Sequence, residues 1–159
     1  ITEVGMEYLM KVFSQLPNLN ILDLKFNNLL AIDGQSFEHI GLCSESLQNL
    51  EHLNLGFFNC RFLSLEGVNA IRNAFKRLKK ITNLRLHLLQ CQNIRDDCLD
   101  VIYHRIAEST TLESVELDFS LCENLSSLKF SIFTSKIKDL DITSKIISNF
   151  TWLYAPTEI

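Results

Sequence analysis

The chain is poor in the residues that break regular structure: its 159 residues include only 5 glycines and 2 prolines. Together with a hydrophobic content of 47%, that scarcity excludes a low-complexity or disordered polypeptide and implies long regular elements with few sharp turns. No apolar run approaches the roughly 18 residues that span a bilayer, and the opening stretch lacks the pattern of a signal peptide. Positive charge is not in surplus either. Lys and Arg number 15 against 19 Asp and Glu, giving a net charge of −4 and a pI near 5.5. The basic residues are scattered apart from Arg72, Lys76, Arg77, Lys79 and Lys80, which read as one solvated face of a helix and its exit, so nucleic acid is not the expected partner. Phosphate-loop, zinc-protease, nucleophile-elbow and paired Cys-x-x-Cys motifs are all missing, and no catalytic residue, cofactor or metal ligand is assigned.

What the chain does hold is a repeat. Leu22, Leu53, Leu84 and Val115 are spaced by 31 residues, as are Leu24, Leu55, Leu86 and Leu117, and Phe26, Phe57, Leu88 and Phe119. Cys60, Cys91 and Cys122 follow the same step. The frame divides the sequence into five units, 1–31, 32–62, 63–93, 94–124 and 125–155, with a tail at 156–159. Such a repeat replaces one closed core by a stack of units.

The first part of each unit predicts a helix. Met6, Leu9, Phe13 and Leu16 fall on one face at helical spacing, as do Val68, Ile71, Phe75 and Leu78, and Phe130, Phe133, Ile137 and Leu140. Thr2, Asp33, Ser64 and Ser126, with Asp96 one place late, stand where an N-cap oxygen is needed. The second part alternates: Leu22, Leu24 and Phe26 point one way, and Ile21, Asp23 and Lys25 the other, the pattern of a half-buried strand. Stacked units then give an α/β architecture, with parallel strands on a concave side and helices outside. In unit five, Thr143 and Ser148 fall where core residues are expected.

Leu19-x-x-Leu22-x-Leu24-x-x-Asn27-x-Leu29 resembles the leucine-rich repeat signature, and the long helical half resembles its ribonuclease-inhibitor type. Cys91-x-x-Ile94-x-Asp96-x-x-Leu99 resembles the cysteine-containing leucine-rich repeats in the substrate-binding halves of F-box proteins. The resemblance implies a curved right-handed βα solenoid and a non-enzymatic scaffold that binds proteins within a larger complex or longer chain. An F-box-type ubiquitin ligase's substrate-recognition region and an extracellular receptor ectodomain are the alternatives.

The cysteine column is expected to form a reduced ladder whose thiols meet loop carbonyls, although adjacent strands also bring such residues to disulfide range. Cys43 and Cys98 complete an odd set of five, which fits a reducing, intracellular and cytoplasmic setting. Cys98 shares its column with Gly5, Ser36 and Gly67, where small size is required. The sequons at Asn124 and Asn149 each enclose an expected core residue and read as chance matches. The candidate partner-binding residues are those expected on the outward strand face: Asp23, Lys25, His52, Asn54, Arg85, His87, Glu116 and Asp118. Lys145, Ile147 and Asn149 are the expected outward residues of the last strand.

Overall fold

A computed structural model describes residues 1–29 and 37–148, and for residues 41–43 the backbone only. Asp33, Ser36, Asn149, the side chain of Cys43 and the tail at 156–159 lie outside what is described. The elements alternate as α1 (Glu3–Phe13), β1 (Ile21–Asn27), α2 (Glu38–Ser44), β2 (His52–Phe58), α3 (Leu65–Arg77), β3 (Asn83–Leu89), α4 (Asp96–Ala107), β4 (Ser114–Asp118), α5 (Ser127–Lys138) and β5 (Ser144–Ser148). The five strands form one sheet in the order β1-β2-β3-β4-β5, every pair parallel. A parallel neighbour cannot be reached by a tight turn, so each connection carries a helix, and each helix packs on the next along the chain.

The register turns the repeat into rows. Leu22, Leu53, Leu84 and Val115 are direct partners, and Leu24, Leu55, Leu86 and Leu117 form the next row. Leu55, Leu86 and Leu117 are buried there with Met6, Met10, Val68, Ile71, Phe75, Leu99, Ile102, Phe133 and Ile137 of the helices. All helices therefore cover the same face of the sheet. Phe26 stacks on Phe57 at 5.4 Å between ring centres, and Phe37 meets Phe57 edge-on at 5.5 Å, joining the first units.

The last step departs from the frame. Val115 pairs with Lys145, Glu116 with Ile146 and Leu117 with Ile147, a spacing of 30. Lys145 and Ile147 therefore turn toward the core rows, while Ser144 and Ile146 lie outward and Ser148 pairs with Asp118. The segment joining α5 to β5 carries a tight turn, Ile142 N donating to Leu140 O at 2.9 Å, and is one residue shorter than the segment joining α4 to β4. Lys145 tolerates its row at the sheet edge because its ammonium reaches the Lys138 carbonyl at the end of α5, at 2.9 Å, while the apolar stem stays over the row.

Helix starts also differ in part from expectation. Thr2 and Ser126 accept from Gly5 N and Lys129 N, each at 3.3 Å. Ser64 instead donates its hydroxyl to the Glu66 carboxylate and caps no backbone N–H. Arg95 precedes α4 without a side-chain cap. Asp96 is occupied elsewhere, accepting from Ser126 N at 2.8 Å and Ser126 Oγ at 2.7 Å and so fastening α5 to α4. Gly67 is buried as its column requires: a Cβ there lies 2.8 Å from Leu63 Cδ1 and 3.0 Å from Phe37 Cδ2.

Candidate functional site

The strand residues that leave the core build one continuous surface. Its middle row runs Asp23, Asn54, Arg85, Glu116 and Ile146. On one side lie Ile21, His52, Asn83, Ser114 and Ser144, and on the other Lys25, Gly56, His87, Asp118 and Ser148. All eight candidate residues thus lie on this one face, and the register shift replaces Lys145 and Ile147 by Ser144 and Ile146. A parallel ladder fixes the spacing of these side chains to the strand separation of about 4.8 Å, so neighbours one repeat apart can bond directly.

They do so along much of the row. Asn54 Nδ2 donates to Asp23 Oδ2 at 2.9 Å, and Lys25 Nζ lies 3.7 Å from the same oxygen. Arg85 Nε meets Glu116 Oε2 at 2.9 Å while His87 Nε2 meets Glu116 Oε1 at 3.0 Å, so both oxygens of one carboxylate are engaged. Asp118 turns away from Arg85. Its Oδ1 accepts from Ser120 N at 2.9 Å and Ser120 Oγ at 2.5 Å, tying off the end of β4. The pairing pre-orders the side chains, which lowers the entropy cost of binding. His52 and His87 are four residues out of line, His52 opposite Asn83 and His87 opposite Gly56, and among the described residues only His87 of the two has a carboxylate partner.

A depression of about 190 Å³ runs across β1 to β4, walled by Ile21, Asp23, His52, Asn83, Arg85 and Ser114. Asn54 lines it as well, and its Oδ1 is buried with no hydrogen-bond donor. A buried carbonyl oxygen left unpaired is costly. The spacing of the sequence places Asn54 on this face, but an orphaned acceptor depends on side-chain geometry and leaves no sequence signal.

Two further columns lie at the strand ends. Asn28, Asn59, Gln90 and Leu121, spaced by 31, all adopt left-handed backbone, with φ of 53°, 51°, 54° and 63°. Asn59 Nδ2 donates to Asn28 Oδ1 at 2.7 Å. The two asparagines are the visible signal of this column, because asparagine accepts such φ more readily than most residues. Just beyond it, the thiols of Cys60, Cys91 and Cys122 point at backbone carbonyls of the preceding strand, Phe26 O at 3.5 Å, Phe57 O at 3.6 Å and Leu88 O at 2.7 Å. Leu29 occupies the same column, also buried. Cys60, Cys91, Cys98 and Cys122 are free thiols. Burial pushes the Cys122 thiol up to about 12 and the Cys98 thiol up to about 11. The hydrogen bond with Cys60, together with burial, holds Cys91 protonated. Cys60 is shifted the other way, its hydrogen bond with Cys91 lowering it to about 7, whereas the buried, protonated thiols of Cys91, Cys98 and Cys122 serve packing and not nucleophilic chemistry.

Elsewhere, the basic cluster on α3 is partly consumed: Arg72 lies 3.7 Å from Glu108, Arg77 3.6 Å from Glu45, and Lys80 donates to Asn49 Oδ1 at 2.8 Å. Among the described residues no group of three or more His, Cys, Asp or Glu is placed to hold a metal ion. No described helix is long and apolar enough to cross a membrane. No protein-family model matches the chain, and no curated protein matches it.

Proposed function

We propose that the chain is a leucine-rich-repeat solenoid, close to the ribonuclease-inhibitor and cysteine-containing types, acting as a non-enzymatic scaffold that binds protein through its strand-lined concave face. It works within a larger intracellular assembly, in a reducing compartment. The observation that carries the reading is the outward strand face itself: a row that holds Asp23, Arg85 and Glu116, internally paired, beside a depression lined by His52, Asn54, Asn83 and Arg85. A rigid surface of this kind suits an extended segment of a partner, with charge setting orientation. The odd number of cysteines, five, fits the reducing setting. The cysteine ladder also favours one narrower variant, the substrate-recognition region of an F-box-type ligase.

The test uses a photo-crosslinking residue at Asn83, in the depression, and at Lys76, on the helical side. Adducts to the same protein partner from position 83 and none from 76 are expected. Adducts from 76 alone contradict the assignment of the face.

A further inference from the structure

Gly56 stands in the middle of β2, and among the described outward rows it is the position without a side chain. Backbone geometry does not require a glycine there: pairing runs unbroken on both sides of it, and no described glycine has a positive φ. A glycine inside a regular strand weakens the strand and often marks a place where another chain comes close. The nearest atoms to a Cβ built on Gly56 all belong to Lys25, with Cγ at 3.3 Å. The residue therefore makes room for nothing in the fold beyond a flexible side chain with 65% of its surface free. The result is a slot floored by the backbone of β2, with Lys25 of β1 and His87 of β3 as its neighbours in the row.

The slot ends on apolar surface. Phe58, the next outward residue of β2, is the direct partner of Leu89, whereas the other outward rows of the described strands nowhere put two apolar residues side by side. Phe58 is 40% exposed. Leu121 lies one strand beyond Leu89 and is 36% exposed, in a left-handed column otherwise held by Asn28, Asn59 and Gln90. Among the described residues between β1 and α5, the exposed large apolar side chains are Phe58, Phe62 and Leu121, all at or shortly after the ends of strands. Units flank them on both sides, so their exposure owes nothing to either end of the stack. Exposed apolar groups gathered on one rim mark a contact surface, and buried aromatic anchors dominate the energy of such contacts.

The surroundings favour an aromatic occupant. Phe58 offers a ring to stack on at the end of the slot. The Lys25 ammonium, 3.7 Å from Asp23 and largely exposed, can meet the face of a second ring. His87 is held by Glu116 at 3.0 Å and forms a fixed wall opposite.

We propose that the slot over Gly56 receives an aromatic side chain of the partner segment, its ring laid against Phe58 and Leu89 between Lys25 and His87. The proposal rests on the reading of this face as a protein-binding surface and adds what the partner must carry. Gly56 follows Asn54 of the depression by two residues. In an extended segment lying along β2, the aromatic residue thus stands two positions from the one over the depression.

Panning a phage library of random dodecapeptides on the 159-residue chain tests it, with Kd of the recovered peptides measured by fluorescence polarisation. Those peptides are expected to share an aromatic residue whose replacement by alanine raises Kd at least about tenfold. Overhauser contacts from that ring to the Gly56 Hα protons are expected on the unaltered chain, which decides the question even where a variant fails to fold. Gly56→Val fills the slot while suiting a strand, and Phe58→Ser installs the residue type that Ser120 has in the same column. Each is expected to raise Kd at least about tenfold, with circular dichroism checking the fold. Binders that keep their affinity for both variants overturn the proposal. If those binders are lost on Asn83→Trp, which fills the depression, the partner-binding face stands and only the slot falls. A library that yields no binder overturns both.

Discussion

Leu86→Ala probes the middle of the stack. Leu86 is 2% exposed, sits between Leu55 and Leu117 in its row, and faces the α3 and α4 side chains. Removing its three outer carbons forfeits about 2.4 kcal/mol at about 0.8 kcal/mol per buried methylene. The cavity left behind adds to this. A void of about 20 Å³ already lies beside Leu86 among Leu84, Leu88, Ile102 and Ile106. Enlarging it brings the expected loss to about 3–5 kcal/mol. Because each unit touches only its neighbours, the defect should also separate the two halves of the array, so that amides of β1 and β2 exchange independently of those of β4 and β5. Urea unfolding gives the free energy, and native-state hydrogen exchange gives the coupling. Arg85→Ala, one residue earlier and on the other face, is the control: it breaks an exposed ion pair with Glu116 and should cost no more than about 1 kcal/mol. A Leu86→Ala cost below about 1 kcal/mol, or equal costs at the two positions, would refute the assignment of faces.

Three other outcomes are expected. Gly67→Val overpacks the contact with Leu63 and Phe37, both fully buried, and should destabilise the fold by about 1–3 kcal/mol, measured by urea midpoint. Cys60, Cys91, Cys98 and Cys122 are 0% exposed, so a water-soluble disulfide reagent should label them only at the rate of opening; fast labelling of peptides holding these residues contradicts their burial. Cys98 keeps its proton up to about 11 against an ordinary 9.0. The folded state therefore holds a proton that the unfolded chain has lost, and stability should fall as pH rises from 9.0 towards 11. The loss from this thiol is about 2–3 kcal/mol, and Cys98→Ala should flatten that stretch of the pH–stability curve. An unchanged slope in the variant contradicts the assignment.

Much of this organisation was legible because a repeat samples the same physics several times. Leu22, Leu53, Leu84 and Val115 each carry a weak strand signal, and together they set the register. The eight candidate face residues follow from that register by alternation alone, since side chains of a strand point to opposite faces in turn. The last strand was misplaced by one residue because a connecting segment one residue shorter flips every side chain to the other face. Lys145 in a core row gave a misleading pattern, since its polarity is satisfied at the Lys138 carbonyl. Caps were only partly legible: Ser64 and Asp96 have capping chemistry, but Glu66 and Ser126 compete for them. The pairing of Glu116 with both Arg85 and His87, and the stranded Asn54 oxygen, depend on rotamers that no spacing specifies.

The most direct test of the account is an isotope-edited nuclear Overhauser map of backbone contacts between strands. The account predicts Leu22, Leu53, Leu84, Val115 and Lys145 as successive parallel partners, three steps of 31 followed by one of 30. Any other strand order, or Val115 opposite Ile146 in place of Lys145, would contradict it.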